Sequence, residues 1–219
     1  MTPDYDRAVT AAMQTLIDNH ITETPIDPLP ILKRWPGVRV ISFARMANEA
    51  ALERDELIPL FVRNQDAATF RLGMELDDVE YVVVYNTRLP FEIVCRGIAR
   101  ELGHIVLGHD GVTRPYEIRR AEAMCYAHHL LSPRPILQIL RESMPLTMNI
   151  LSDTTGCIDE CVEDMRSIPG THVPAELNRQ VRDLFARGIQ EYVRFHQALH
   201  HVDNSQVIDL GTYIDGYEE

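Results

Sequence analysis

The stretch from Gly97 to His109, GIARELGHIVLGH, decides the fold that this chain is expected to adopt. Built as an α-helix, it gathers its charged and imidazole side chains within about a third of the helix circumference. These side chains are Arg100, Glu101 and His104. An apolar stripe runs beside them, formed by Val94, Ile98, Leu102 and Ile105. The helix is therefore predicted to be buried, and its buried charges must pair with one another or hold a metal.

The spacing of this polar stripe is that of the HExxH motif of zinc peptidases. In that motif two histidines one helical turn apart bind the metal, and the glutamate after the first histidine is the general base for the metal-bound water. Here the motif is RELGH, so Glu101 and His104 are present and Arg100 stands at the first histidine position. A guanidinium keeps its proton and has no lone pair to give to a metal.

Glu122 lies on the next predicted helix, which runs from about Glu117 to Leu131 and ends at Ser132-Pro133. It begins the string EAMCYAHHLLSP. A glutamate from a following helix completes the metal site in one large class of zinc peptidases. Glu122 is therefore the candidate for a further metal ligand.

The order of these motifs resembles the ImmA/IrrE family. A strand ending in Tyr85-Asn86 is followed by ELGHIVLGH and then by EAxxYAxxLLxP, where the family carries HELGHxxLGH and EAxxFAxxLLxP. Its members are zinc-dependent endopeptidases, or relatives of them, in bacteria, phages and mobile elements, and several are thought to cleave helix-turn-helix repressors. The resemblance implies that Glu101 is the general base and that His104 and Glu122 are zinc ligands.

Arg100 leaves three interpretations open. In the first, Arg100 pairs with Glu101 or Glu122, an ion pair replaces the metal, and the site is inactive. In the second, His109 supplies the missing ligand, because the chain can turn it back toward His104 after the helix ends. In the third, Arg100 is an engineered or incidental change in an otherwise active enzyme.

Two functions follow from these interpretations. The leading one is an ImmA/IrrE-like zinc metallopeptidase domain, impaired by Arg100, that acts on a protein or peptide such as a transcriptional repressor of a phage or mobile element. In it Glu101 takes a proton from the metal-bound water and returns it to the leaving amine. Zinc suits a His/Glu site best, although manganese and iron also fit one. The alternative is a metal-free, non-catalytic module that holds a repressor or toxin partner.

The net charge of −12 argues against a nucleic-acid partner, because an acidic surface repels the phosphate backbone. Residues 148–167 have the helix–glycine–helix rhythm of a DNA-binding motif. Their second half is acidic, with Asp159, Glu160, Glu163 and Asp164 opposed by Arg166. In the family this region helps to recognise the protein partner, and the same role is predicted here.

The chain ends and the cysteines predict a cytoplasmic protein. The first residues lack the basic and apolar regions of a signal peptide, and no apolar run approaches the roughly 18 residues of a membrane span. The cysteines show no CxxC pairing and are expected to be reduced and mostly buried. They are Cys95, Cys125, Cys157 and Cys161.

The whole pattern predicts an α+β fold: a small, mostly antiparallel sheet packed on a buried zincin-type active-site helix, with a helical C-terminal extension. Alternating and β-branched segments predict strands at 37–43, 57–62, 69–74 and 80–85. The last of these is either an edge that receives an extended peptide or an inner strand. The active-site helix is predicted from about Pro90 to Leu107, with Gly108 as its stop.

Three regions follow from this pattern. Residues 1–133 are predicted to form the zinc-peptidase-like domain, residues 134–200 a helical extension that recognises the partner or substrate, and residues 201–219 a loosely held acidic tail. Outside the motif positions, Tyr126 is predicted to pack in the core and His129 to line a pocket or lie in the core. His128 is predicted to lie at the surface.

Overall fold

The computed structural model describes residues 1–49, 66–72, 79–109, 113–198 and 206–216. It confirms the α+β class and divides the chain into two compact units. The helical unit comprises Met1–Ile26 and Gly103–Glu219, and the sheet unit comprises Asp27–Leu102. In the described residues, no helix combines the length and the apolarity that crossing a membrane requires.

The sheet unit has three strands and two short helices among its described residues, followed by the start of a longer helix. The strands are β1 (Val38–Ser42), β2 (Ala67–Arg71) and β3 (Tyr81–Tyr85). The short helices are α2 (Pro28–Lys33) and α3 (Phe43–Glu49). Ile41 and Val84 form a buried cluster on one face of this sheet, with partly buried apolar side chains, including Phe43 and Met46 of α3, packed against them.

The sheet has the strand order β1-β3-β2 and is mixed. β3 pairs with β1 in parallel, with Val83 opposite Val40, and with β2 antiparallel, with Val83 opposite Thr69. The prediction of a mostly antiparallel sheet is therefore wrong, because β1 reaches β3 by a long crossover connection and not by a hairpin. β3 lies in the centre, which confirms its interpretation as an inner strand.

The predicted strands agree with the structure where it describes them. The segments 37–43 and 80–85 contain β1 and β3, whereas β2 begins at Ala67, two residues before the predicted segment 69–74. The predicted strand at 57–62 and the last residues of the segment 69–74 lie outside the described residues.

Helix α4 is Phe91–Val106, and the boundary between the units falls within it, after Leu102. Pro90 precedes it, as predicted for a residue that needs no N–H partner at the start of a helix. Gly108 follows it with a φ of 63°, a left-handed conformation that favours glycine and ends the helix.

The helical unit packs α1 against α5 and α9, and α9 against α6. Its helices are α1 (Tyr5–Asp18), α5 (Tyr116–Leu131), α6 (Arg134–Ser143), α7 (Met148–Thr155), α8 (Asp159–Ser167), α9 (Ala175–Ala198) and α10 (Gly211–Asp215). Tyr126 lies in the core, as predicted, and its hydroxyl donates to Thr15 Oγ1 at 2.9 Å. The four cysteines are buried and free, also as predicted.

The end of the described chain is packed and not loosely held. Tyr213 and Ile214 of α10 are buried, and the Tyr213 hydroxyl donates to the Ser132 carbonyl at 3.1 Å. The buried Arg134 guanidinium donates to the Tyr213 carbonyl at 3.0 Å. The prediction of a loose tail is thus wrong for residues 206–216, because a few apolar side chains in an acidic segment suffice to dock it.

His128 is buried, at 2% exposure, so the prediction that it lies at the surface is wrong. Its Nε2 lies 3.4 Å from Asp164 Oδ2 of α8. Helix α8 packs on α5, a contact that the spacing of residues within α5 does not reveal. His129 is fully buried, as predicted, and its ring lies 4.4 Å from that of Tyr213.

Candidate functional site

Arg100 is the centre of a buried charge cluster in the sheet unit. Its NH1 and NH2 groups donate to the two oxygens of Asp66 at 3.2 and 2.9 Å. Its Nε and NH2 groups donate to Glu101 Oε1 at 3.1 and 2.7 Å. A further bond reaches the Ala67 carbonyl at 3.0 Å. The pairing of Arg100 with Glu101 is one of the two that the first interpretation allows.

Asp66 is the member of this cluster that the sequence analysis missed. It immediately precedes β2 and is only 8% exposed. A Cβ at Gly97 of α4 would lie 2.6 Å from Asp66 Cγ, so only glycine leaves room for this carboxylate. A glycine inside a helix lowers helix stability by about 1 kcal/mol relative to alanine, and Gly97 was therefore the available signal of a close approach.

Burial and charge act in opposite directions on the pKa values of this cluster. Burial raises the pKa of Glu101, and the neighbouring Arg100 guanidinium lowers it by less, so the pKa lies above its usual value. Burial lowers the pKa of Arg100, but Glu101 and Asp66 raise it by more. Arg100 therefore remains a cation, held by two carboxylates.

Glu122 is the centre of a second buried cluster, which lies in the helical unit. Its side chain is 1% exposed and projects from α5. Oε1 accepts from the Arg114 guanidinium and from the Asp4 backbone N–H at 2.8 Å. Oε2 lies 2.9 Å from His109 Nε2. The carboxylate is thus held by a guanidinium, a backbone N–H and an imidazole.

His109 joins His104 to this cluster. Its Nδ1 lies 2.9 Å from His104 Nδ1, and the two rings meet edge to face with centroids 5.0 Å apart. The left-handed Gly108 turns the chain back, so that the His109 N–H donates to the His104 carbonyl at 3.0 Å. Burial lowers the pKa of His109, although Glu122 raises it, which favours a neutral imidazole.

The helical unit therefore brings together three residues that the sequence analysis singled out, but as a linear chain. His109 directs Nδ1 at His104 and Nε2 at Glu122. The two nitrogens of one imidazole point in different directions, so both contacts cannot share one zinc ion at about 2.1 Å. As they stand, these residues do not fit a zinc ion, and no group of three or more His, Cys, Asp or Glu side chains in the described ranges forms a metal-binding set. Their roles as ligands, and that of Glu101 as general base, remain predictions.

Close packing around Gly103 sets the position of the His104 end of α4. A Cβ at Gly103 would lie 2.8 Å from Tyr126 Cδ1 and 3.1 Å from the Ala123 carbonyl oxygen of α5. Glycine thus lets α4 approach the helix that carries Glu122.

Comparisons with models of known families, with curated proteins and with solved structures give no match.

Proposed function

We propose that this chain is a metal-free, non-catalytic relative of the ImmA/IrrE zinc peptidases that binds a protein or peptide partner without cutting it. The observation that carries the proposal is the Arg100 guanidinium, bonded to both Asp66 and Glu101. Arginine at the position of the first metal ligand cannot coordinate zinc. In its place it provides the buried carboxylates with a permanent positive charge.

Glu101 also supports a non-catalytic role. In a peptidase this residue has to accept a proton from water and pass it to the leaving amine. Here it is the counter-ion of Arg100, and its side chain is 8% exposed. Its Oε1 already accepts two hydrogen bonds from Arg100, at 3.1 and 2.7 Å, so one of its two oxygens is occupied by the guanidinium and not by a water molecule.

The partner is proposed from the resemblance and from the charge. The first candidate for the partner is a helix-turn-helix repressor of a phage or mobile element. The chain would bind this repressor in the cytoplasm. The net charge of −12 suits a partner with a basic or neutral contact surface. The same charge opposes binding to nucleic acid.

A second candidate function is the zinc peptidase itself, with His109 in the role of the missing histidine. The observation that favours it is the contact of His109 with both His104 and Glu122. This function requires the chain of hydrogen bonds to open so that the three side chains can face one ion.

Metal content and cleavage separate the two candidates. The native chain would be dialysed against zinc, passed through a desalting column and measured by elemental analysis, and then incubated with a panel of helix-turn-helix repressors. We expect no retained zinc and no cleavage, with repressor binding detected by fluorescence polarisation. About one zinc per chain, with a cleavage activity that Glu101→Gln abolishes, would instead establish the peptidase.

A further inference from the structure

Arg114 gives Glu122 a permanent cation that the sequence motifs do not predict. Its guanidinium contacts Glu122 Oε1 in the helical unit. The other groups of the described residues that bond to Glu122 are the His109 imidazole and the Asp4 N–H, and neither carries a permanent charge.

The neighbouring structure holds Arg114 in place. The Arg119 guanidinium donates through Nε to the Arg114 carbonyl at 3.1 Å, one turn into α5. The Arg114 side chain is 30% exposed, whereas that of Glu122 is 1% exposed. The guanidinium therefore reaches from a partly solvated position onto a buried carboxylate.

This arrangement excludes a second cation from Glu122. Oε1 already accepts two donors, from Arg114 and from the Asp4 N–H. A divalent ion bound to Glu122 would lie beside the guanidinium, and like charges at such short range repel strongly where little water screens them.

We propose that Arg114 takes the place of a metal ion at Glu122, so that each carboxylate implied in metal chemistry has its own arginine: Arg100 for Glu101 and Arg114 for Glu122. The inference rests on the proposed function and extends it. Arg100 is then not the sole change that separates the chain from a zinc site. Restoring histidine at position 100 is insufficient while Arg114 remains.

The test compares zinc affinity in the full chain by competition with a chromophoric chelator. The variants are Arg100→His, Arg100→His/Arg114→Gln and the control Arg100→His/Arg120→Gln. Arg120 is an exposed arginine of α5, so the control removes the same charge from the same helix. We expect Arg100→His/Arg114→Gln to bind zinc about tenfold or more tightly than Arg100→His does. The control Arg100→His/Arg120→Gln should bind zinc as weakly as Arg100→His.

Equal zinc affinity for Arg100→His with and without Arg114→Gln would overturn the inference, as would an equal gain in the control. Circular dichroism with and without zinc accompanies each measurement. If Arg100→His/Arg114→Gln folds only when zinc is added, the metal has replaced the guanidinium and the inference stands. If this double variant stays unfolded with zinc, the result counts against the inference. Zinc retained by the native chain would refute the proposed function, a result separate from the ratio between these variants.

Discussion

At the scale of single residues, Arg100 and Asp66 form a largely buried ion pair in the sheet unit. The carboxylate and guanidinium meet through two bonds, and their side chains are 11% and 18% exposed. Such a pair adds little over a well-packed apolar pair, but breaking it leaves an uncompensated charge. Asp66 therefore contributes to stability mainly because its removal would leave part of the buried Arg100 charge uncompensated.

Replacing Asp66 tests this interaction. We expect Asp66→Ala to lower the free energy of unfolding by about 2–4 kcal/mol, because among the described residues Arg100 then keeps Glu101 as its one charged partner. The measurement is urea denaturation followed by circular dichroism.

Glu80→Ala is the matched control. It removes a carboxylate from the exposed Arg71–Glu80 pair, whose atoms are 2.9 Å apart. Exposed pairs contribute about 0–1 kcal/mol, so the expected loss is small. Similar losses for Asp66→Ala and Glu80→Ala would contradict the role given to Asp66.

At the scale of secondary-structure elements, two glycines allow neighbouring groups to lie close to the backbone of α4. Gly97 leaves room for the Asp66 carboxylate, and Gly103 leaves room for the Ala123 carbonyl and the Tyr126 ring. Both lower the intrinsic stability of the helix, since glycine is a poor helix former. The packing contacts that the two glycines permit compensate for this loss of helix stability.

Gly103→Ala and Gly188→Ala separate helix propensity from packing. Gly188 lies within α9, where a Cβ would meet Thr22 O at an ordinary 3.7 Å. We expect Gly188→Ala to stabilise the protein by about 0.5–1 kcal/mol through helix propensity. Gly103→Ala should instead destabilise it by about 1–3 kcal/mol, because the Ala123 backbone cannot move aside.

Thermal and urea unfolding of the two alanine variants provide the readout. Opposite signs of the stability change are the expected result. If Gly103→Ala were as stable as Gly188→Ala, close packing of α4 on α5 would not be the reason for glycine at position 103.

At the scale of the whole molecule, buried histidines connect stability to pH. Burial, and to a smaller extent the nearby Arg134, lower the pKa of His129 from 6.5 to about 3. Below a pH of about 6.5 the unfolded chain binds a proton at this residue and the folded chain does not. Stability is therefore complete above that pH and is lost as the pH falls toward 3.

His129→Gln should flatten this loss. Between about pH 6 and pH 4, the native chain should lose up to about 1.4 kcal/mol per pH unit through His129 alone. The variant should be less stable at neutral pH but lose less on acidification, with a residual slope from His109, whose pKa is also lowered. Urea denaturation at several pH values measures both slopes, and identical slopes would show that His129 does not contribute.

Local features of the chain were predictable because they depend on residues that are close in sequence. Helix α4 begins after Pro90 and ends before Gly108, as expected. The left-handed turn at Gly108 brings the His109 ring back into contact with the His104 ring. Periodicity and helix-ending residues likewise predicted α5 within one residue at its start. These elements need no knowledge of the rest of the fold.

The sequence by itself determined helices α4 and α5, the strands β1 and β3, and the placing of Glu101, His104 and Glu122 on two successive helices. Only the tertiary structure decided which partners these residues have. Asp66 reaches Arg100 across 34 positions, and the Asp4 N–H reaches Glu122 across 118. Hydrophobic periodicity reports which face of an element is buried, but the partner of a buried charge depends on which distant segments fold against that face.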